Sequence, residues 1–136
     1  MAAAFRQGDQ ALMIDGTEVT ASATELNRAA DATGGNQALT ATAAVTAGVR
    51  SLTLAHASVV IAATIANTTA HTGFFAVTNT SASGTAAHTV TITTGTWNGT
   101  NKIATLNAPA ESLLVFFDAS GNGTIVVNTG SVALSG

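Results

Sequence analysis

The chain has no cysteine among its 136 residues, a single proline, and only 8 % charged side chains. Without cysteine there are no disulfide staples, thiolate metal sites or thiol nucleophiles, so stability must come from packing, within the chain or against other chains. The charge deficit is sharper, because soluble domains carry about 25 %. It is also uneven. Asp9, Asp15, Glu18, Glu25, Asp31, Arg6 and Arg28 fall in the first 31 residues, which leaves only Arg50, Lys102, Glu111 and Asp118 for the other 105. A body so short of charge lacks the side chains that discourage edge-to-edge pairing, and we expect much of its surface to be covered by copies of itself or by a larger assembly. A formal net charge of −3 and the lack of a basic cluster argue against nucleic acid, and none is expected as a partner. No apolar window reaches the length of a bilayer span, since Thr, Asn, Ser and His interrupt each run, so no membrane is expected. The residues after Met1 have neither the basic start nor the apolar segment of a secretory leader, and the chain reads as made and folded in a cytoplasm.

What is present is organised around residues 111–127. Glu111 to Asp118 is an apolar run, Ala119 to Gly123 is rich in Gly and Asn, and Thr124 to Val127 is a second apolar run. Two such runs joined by Asn-Gly predict a β-hairpin, because Asn-Gly supplies the positive φ angles of a two-residue turn. Upstream, Ser51 to Ala55 alternates, Ser58 to Ile65 is a buried-type run, Gly73 to Thr78 is a third strand and His88 to Thr94 alternates again. Asn98-Gly99 marks a second turn, feeding a short strand that ends at Leu106, and Ser131 to Leu134 closes the chain. Asn36 to Gly48 reads as a linker or an entering strand, and 79–87 as a loop. No crossover helices are visible, so a parallel α/β fold is excluded.

The first 35 residues follow different chemistry. Leu12-Met13-Ile14 is a short apolar cluster before a turn at Asp15-Gly16-Thr17. Ser22 and Glu25 have the spacing of a helix capping box, Leu26, Ala29 and Ala30 follow at helical spacing, and Gly34-Gly35 stop the helix. Two to three turns of this kind need a surface to dock on. The expected architecture is therefore an all-β, antiparallel β-sandwich or barrel of jelly-roll-like form over residues 36–136. An extended arm with a short helix precedes it, over residues 1–35.

Candidate chemistry is sparse. Asp118, Ser120, Asn122 and Gly123 begin like a calcium loop, but the position of the bidentate carboxylate is Thr129, so a plain hairpin turn is the expected reading. His56, His71 and His88 have no paired spacing and no carboxylate beside them, and polar positions at strand ends are expected rather than a metal site. Ser, His and Asp occur without a nucleophile elbow, and Glu111 and Asp118 would stand ~23 Å apart on one strand, too far for an acid–base pair. No enzyme, cofactor or metal is expected. Of Phe74-Phe75 and Phe116-Phe117, alternation sends one of each pair to the core and the other to an inter-subunit or inter-sheet contact.

Two segments resemble tailed-bacteriophage virion proteins. The run Ile14-Asp15-Gly16 to Glu25-Leu26-Asn27 is similar to segments near the start of such proteins. Glu111 to Asp118, followed by Gly123 to Val127 and Gly130-Ser131-Val132, resembles the closing hairpin of head-decoration, head-fibre and tail-fibre β domains, with Ile125 where that pattern has Trp. The resemblance implies a structural protein on the virion surface: a homotrimeric capsid decoration (cement) protein that binds the major capsid protein through its arm. Leu12, Ile14, Asp15, Glu25, Leu26 and Arg28 would form that contact. The alternative it leaves open is a receptor- or glycan-binding module at a head-fibre or tail-fibre tip. Loop 79–87 and Asn98–Asn101 would then recognise a host-surface glycan.

Overall fold

The computed structural model describes residues 35–136 and two short strands before them, β1 (Met13–Ile14) and β2 (Thr17–Glu18). The chain divides into two compact units, residues 1–32 and 33–136. In the first, β1 and β2 pair antiparallel, with Met13 opposite Glu18 and Ile14 opposite Thr17. The helix expected from Ser22 lies outside the described residues, as do Leu12, Asp15, Glu25, Leu26 and Arg28.

The second unit is all-β, as expected. Its strands are β3 (Asn36–Leu39), β4 (Ala43–Ala44), β5 (Ser51–Leu54), β6 (Ala62–Ile65), β7 (Gly73–Asn79), β8 (His88–Ile92), β9 (Ile103–Leu106), β10 (Ser112–Phe117), β11 (Gly123–Thr129) and β12 (Ala133–Ser135). One sheet has the order β11-β10-β7-β5-β3 and will be called the front sheet. The back sheet has the order β12-β9-β8-β6-β4. Alternation explains why these segments form strands. Leu52 and Leu54, Phe75 and Val77, Val90 and Ile92, and Leu113, Val115 and Phe117 all point inward and are buried, while their neighbours point out. Both sheets contribute to one core, in which each large side chain contributes ~1.5–3 kcal/mol by leaving water. An aromatic chain runs through it: His71 lies edge-on to Phe75 at 5.1 Å, Phe75 is 5.9 Å from Phe117, and Phe117 is 5.5 Å from the fully buried Trp97.

The pairing is mixed rather than antiparallel throughout. From β3 to β8 the chain changes sheet at every step, so β3, β5 and β7 lie side by side and parallel in the front sheet, and β4, β6 and β8 do the same in the back sheet. Parallel neighbours require a long return connection. Here a strand of the opposite sheet supplies it, so the absence of helices excluded helical crossovers but not parallel strands. The result is three rungs of a flattened coil rather than the hairpin path of a jelly roll. After β8 the chain closes each sheet with antiparallel strands: β9 on β8 and β12 on β9 behind, β10 on β7 and β11 on β10 in front.

Local chemistry moves some boundaries. Strand β6 begins at Ala62 rather than Ser58, because the His56 ring captures backbone donors: its Nδ1 accepts from the amides of Val59 (2.9 Å) and Ser58 (3.3 Å), and 55–61 becomes a loop. At Asn98-Gly99 both residues have positive φ, 46° and 92°, but the turn has three residues, 98–100, because Trp97 pairs with Asn101. Asn122-Gly123 does not form such a turn. The β10–β11 connection is the five-residue loop 118–122, in which Gly121 takes the left-handed conformation at φ 84° and Gly123 already belongs to β11. Gly121 also has Thr68 against its backbone, where a Cβ would meet the Thr68 hydroxyl at 2.1 Å.

Candidate interaction surface

The topology gives the sandwich two ends. Loops 55–61, 80–87, 107–111 and 130–132 share the end at which β8 begins, and loops 45–50, 66–72, 93–102 and 118–122 share the opposite end. The four charged residues of the body all sit in or beside these loops, and each is bound to backbone. Arg50 Nη1 donates to the Thr72 carbonyl at 2.6 Å, and Lys102 Nζ donates to the Gly95 carbonyl. Buried Glu111 accepts from the amides of Asn107 (2.5 Å) and Ala108 (3.1 Å) through Oε2. Asp118 Oδ1 accepts from the amides of Ser120 (2.8 Å) and Asn122 (2.9 Å), closing the turn read in the sequence as a hairpin. These amide bonds, that of Asn122 foremost, hold the Asp118 carboxyl below its usual range. Glu111 and Asp118 flank β10 and so lie at opposite ends.

The histidines are also divided between the ends. His71, at the end of the 3₁₀ turn Thr68–His71, donates from Nδ1 to the Val49 carbonyl at 2.9 Å. Burial lowers its pKa, with the nearby Arg50 charge acting in the same direction. His56 and His88 lie at the other end, joined through Ser81. His88 Nδ1 accepts from the Ile61 amide (3.1 Å), so its proton is on Nε2, which donates to Ser81 Oγ at 3.3 Å. The Ser81 hydroxyl donates to the His56 carbonyl and accepts from the His56 amide, both at 3.0 Å. This polarity is the reverse of an activated serine: the imidazole donates to the hydroxyl and has no lone pair free to take its proton. Burial lowers the pKa of His88. The trio is a clamp that fastens loop 55–61 to loop 80–87.

Outside the ends, the two sheets present different faces. On the back sheet the outward positions are mainly small or hydroxylated, with Thr64 on β6, Thr89 and Thr91 on β8, and Thr105 on β9. On the front sheet Phe74 of β7 stands directly opposite Phe116 of β10, ring to ring at 5.4 Å and 73°. Leu114 lies between Ala76 and Val127 in the same register. Val126 is the extra residue of a β-bulge between the Leu114 and Val115 pairings. Phe74, Phe116, Val126 and Val127 remain 58, 42, 53 and 46 % exposed, and the other large exposed apolar side chains among the described residues are Val59 and Val60 in loop 55–61. Phe75 and Phe117 are the core members of their pairs.

No protein-family model matches this chain, and no curated protein or solved structure does either. The surface must therefore be read on its own geometry. Of the arm residues named from the sequence, Ile14 falls in β1 and the rest lie outside the described residues. Loop 79–87 and Asn98–Asn101 belong to opposite ends, so they do not form one recognition surface. Asn98, though exposed, is tied to β11: its amide donates to the Gly123 carbonyl and its side-chain oxygen accepts from the Ile125 amide at 2.8 Å. The front-sheet patch was half legible, through the doubled phenylalanines. The contribution of β11 was not, because a bulge shifts the alternation within Ile125-Val126-Val127. Among the described residues no helix is long and apolar enough to cross a membrane.

Proposed function

We propose that this chain is a structural protein of a tailed-bacteriophage virion, one that decorates and stabilises the capsid. The arm over residues 1–35 binds the major capsid protein, and the β-sandwich associates with two further copies as a homotrimer. The reading starts from the virion-like segments in the sequence. The observation that carries it is the division of charge: seven of the charged residues stand in the first 31, whereas Arg50, Lys102, Glu111 and Asp118 are tied to backbone in their own turns. A body with four charged side chains, each held by its own turn, offers a partner mainly shape and apolar contact, and the arm, with seven, would fix register by charge. Leu12, Ile14 and Leu26 would bury against the shell, each contributing ~1.5–3 kcal/mol before ordering costs, with Asp15, Glu25 and Arg28 pairing around them. Three linked arms multiply attachment through effective concentration. The protein is made in the host cytoplasm and resides on the outer surface of the capsid.

The test is co-sedimentation with undecorated capsid shells. The full chain is expected to saturate them, and a chain lacking residues 1–35 is expected to remain folded but to stay in the supernatant. Full occupancy by the shortened chain would overturn the role of the arm. Labelling intact particles adds a second check: hundreds of copies over the shell agree with decoration, and a few copies at one vertex favour a receptor-binding tip instead.

A further inference from the structure

We infer that the outer face of the front sheet, centred on Phe74, Leu114, Phe116 and Val127, is the surface through which copies of this chain pack on one another. The inference deepens the assembly reading above and names the contact it requires.

Strand alternation is the starting point. Phe75, Val77, Leu113, Val115 and Phe117 already fill the inward positions of β7 and β10, so the outward Phe74 and Phe116 are not displaced core residues. They form an edge-to-face pair and yet keep about half their area in water. Scattered apolar residues need no explanation, but a contiguous group on three neighbouring strands marks an interface.

Charge selects the occupant. None of β3, β5, β7, β10 and β11 contains an ionisable residue. A charged partner surface would lose hydration against this face and gain no opposite charge in return. An uncharged partner meets no such penalty, and an identical face satisfies the requirement by construction, with no like charges to bring together. A sugar fits poorly, because the two rings are inclined at 73° and offer no single platform, and Ala76, Leu114 and Val127 beside them supply no side-chain donors or acceptors, which leaves the Thr124 hydroxyl opposite Phe116 to bind it. Size is also suitable. Five strands of four to seven residues, at ~4.8 Å between strands and ~3.4 Å per residue, give roughly 450 Å² in plan. Side-chain relief brings this toward the ~800 Å² per partner of a standard interface.

The edge decides that the assembly closes. Three of the four sheet edges are short, with four residues in β3, two in β4 and three in β12, whereas β11 has seven. A long uncharged edge invites unlimited strand addition. The bulge at Val126 breaks its regularity, so copies meet through their sheet faces around a closed symmetry axis, the three-fold of the homotrimer proposed above, instead of extending one sheet.

The experiment is light scattering on the full chain across a concentration series. Three proteins are compared: the wild type, Phe74→Ser/Phe116→Ser, and the control Val59→Ser/Val60→Ser, which removes the other exposed apolar pair. Near-ultraviolet circular dichroism verifies the Trp97 environment in each. The wild type and the control are expected at the same multiple of 13.4 kDa. The phenylalanine variant is expected to dissociate toward one chain, its association weakened by about a hundredfold or more. Val127→Asp, on the same face, should act in the same direction. The inference is overturned if the folded phenylalanine variant and Val127→Asp keep the wild-type mass, if the wild type is a single chain, or if it floats with neutral phosphatidylcholine vesicles and the phenylalanine variant does not. Shell co-sedimentation separates this from the decoration reading. An unaltered oligomer whose binding still depends on the arm removes only this face, and an oligomer that needs Phe74 and Phe116 but ignores shells removes only decoration.

Discussion

Front and back sheets share one plan: three parallel strands, then two antiparallel strands, in corresponding order. Their inward faces meet the same demand and look alike. Their outward faces do not, since threonine dominates one and an aromatic-aliphatic cluster sits on the other. Burial on folding cannot account for that difference, because both outward faces are solvent-facing in the folded body. The inside of each strand thus records what the fold needs, and the outside records what the protein meets.

The comparison can be broken most directly at Phe116-Phe117. Phe117→Ala leaves a cavity beside Trp97 and Phe75 and is expected to lower unfolding free energy by ~3–5 kcal/mol. Phe116→Ala, one residue away, is expected to cost about 1 kcal/mol or less in the dissociated protein. Urea denaturation at low protein concentration measures both, and equal losses would abolish the distinction between faces.

Acidification probes one buried histidine associated with each sheet, His71 before β7 and His88 in β8. Both have native pKa values below 6.5, so the unfolded chain binds the extra protons. Their contribution is therefore complete above about pH 6.5 and declines as pH falls through that value toward the native pKa. Asp118, with its lowered pKa, adds a separate loss only below about pH 4, the ordinary carboxylate range. Thermal melts from pH 8 to 3 should show the two windows, and His71→Leu should diminish the first without moving the second.

The smallest expected effects lie on the outward faces themselves. Thr91→Val on the back sheet and Thr124→Arg on the front sheet, where Thr124 stands opposite Phe116, should each change unfolding free energy by no more than ~0.5 kcal/mol. Only the second should reduce the oligomer mass, because it places a charge among the phenylalanines. Light scattering at matched concentration checks this, and a mass shift from Thr91→Val would show that the faces are not distinguished as described.

Alternation made β5, β7, β8 and β10 legible in the sequence, since each carries a clean inward row. Strand direction was not legible: the partner of Ser51 is Asn36 on one side and Ala76 on the other, and neither adjacency leaves a trace in local periodicity. The start of β6 was hidden by His56, whose ring competes with the ladder for amides. Of the candidate surface, the doubled phenylalanines were visible as pairs, but which member faced out depended on strand phase. That Arg50, Lys102, Glu111 and Asp118 are consumed by backbone was beyond reach, because it depends on how loops fold back on their own side chains.

The rungs have one more consequence. Asn36 pairs with Ser51, fifteen residues on, and Ser51 with Ala76, twenty-five on, while Ala43 pairs with Ala63, twenty on, and Ala63 with Val90, twenty-seven on. Chain length varies by ten residues between successive rungs in front and by seven behind, and is absorbed wholly at the two ends, leaving the ladders in step. Evolution or an engineer could thus lengthen this body by stacking another rung, or graft foreign peptide into an end, and leave the closing hairpins as they are.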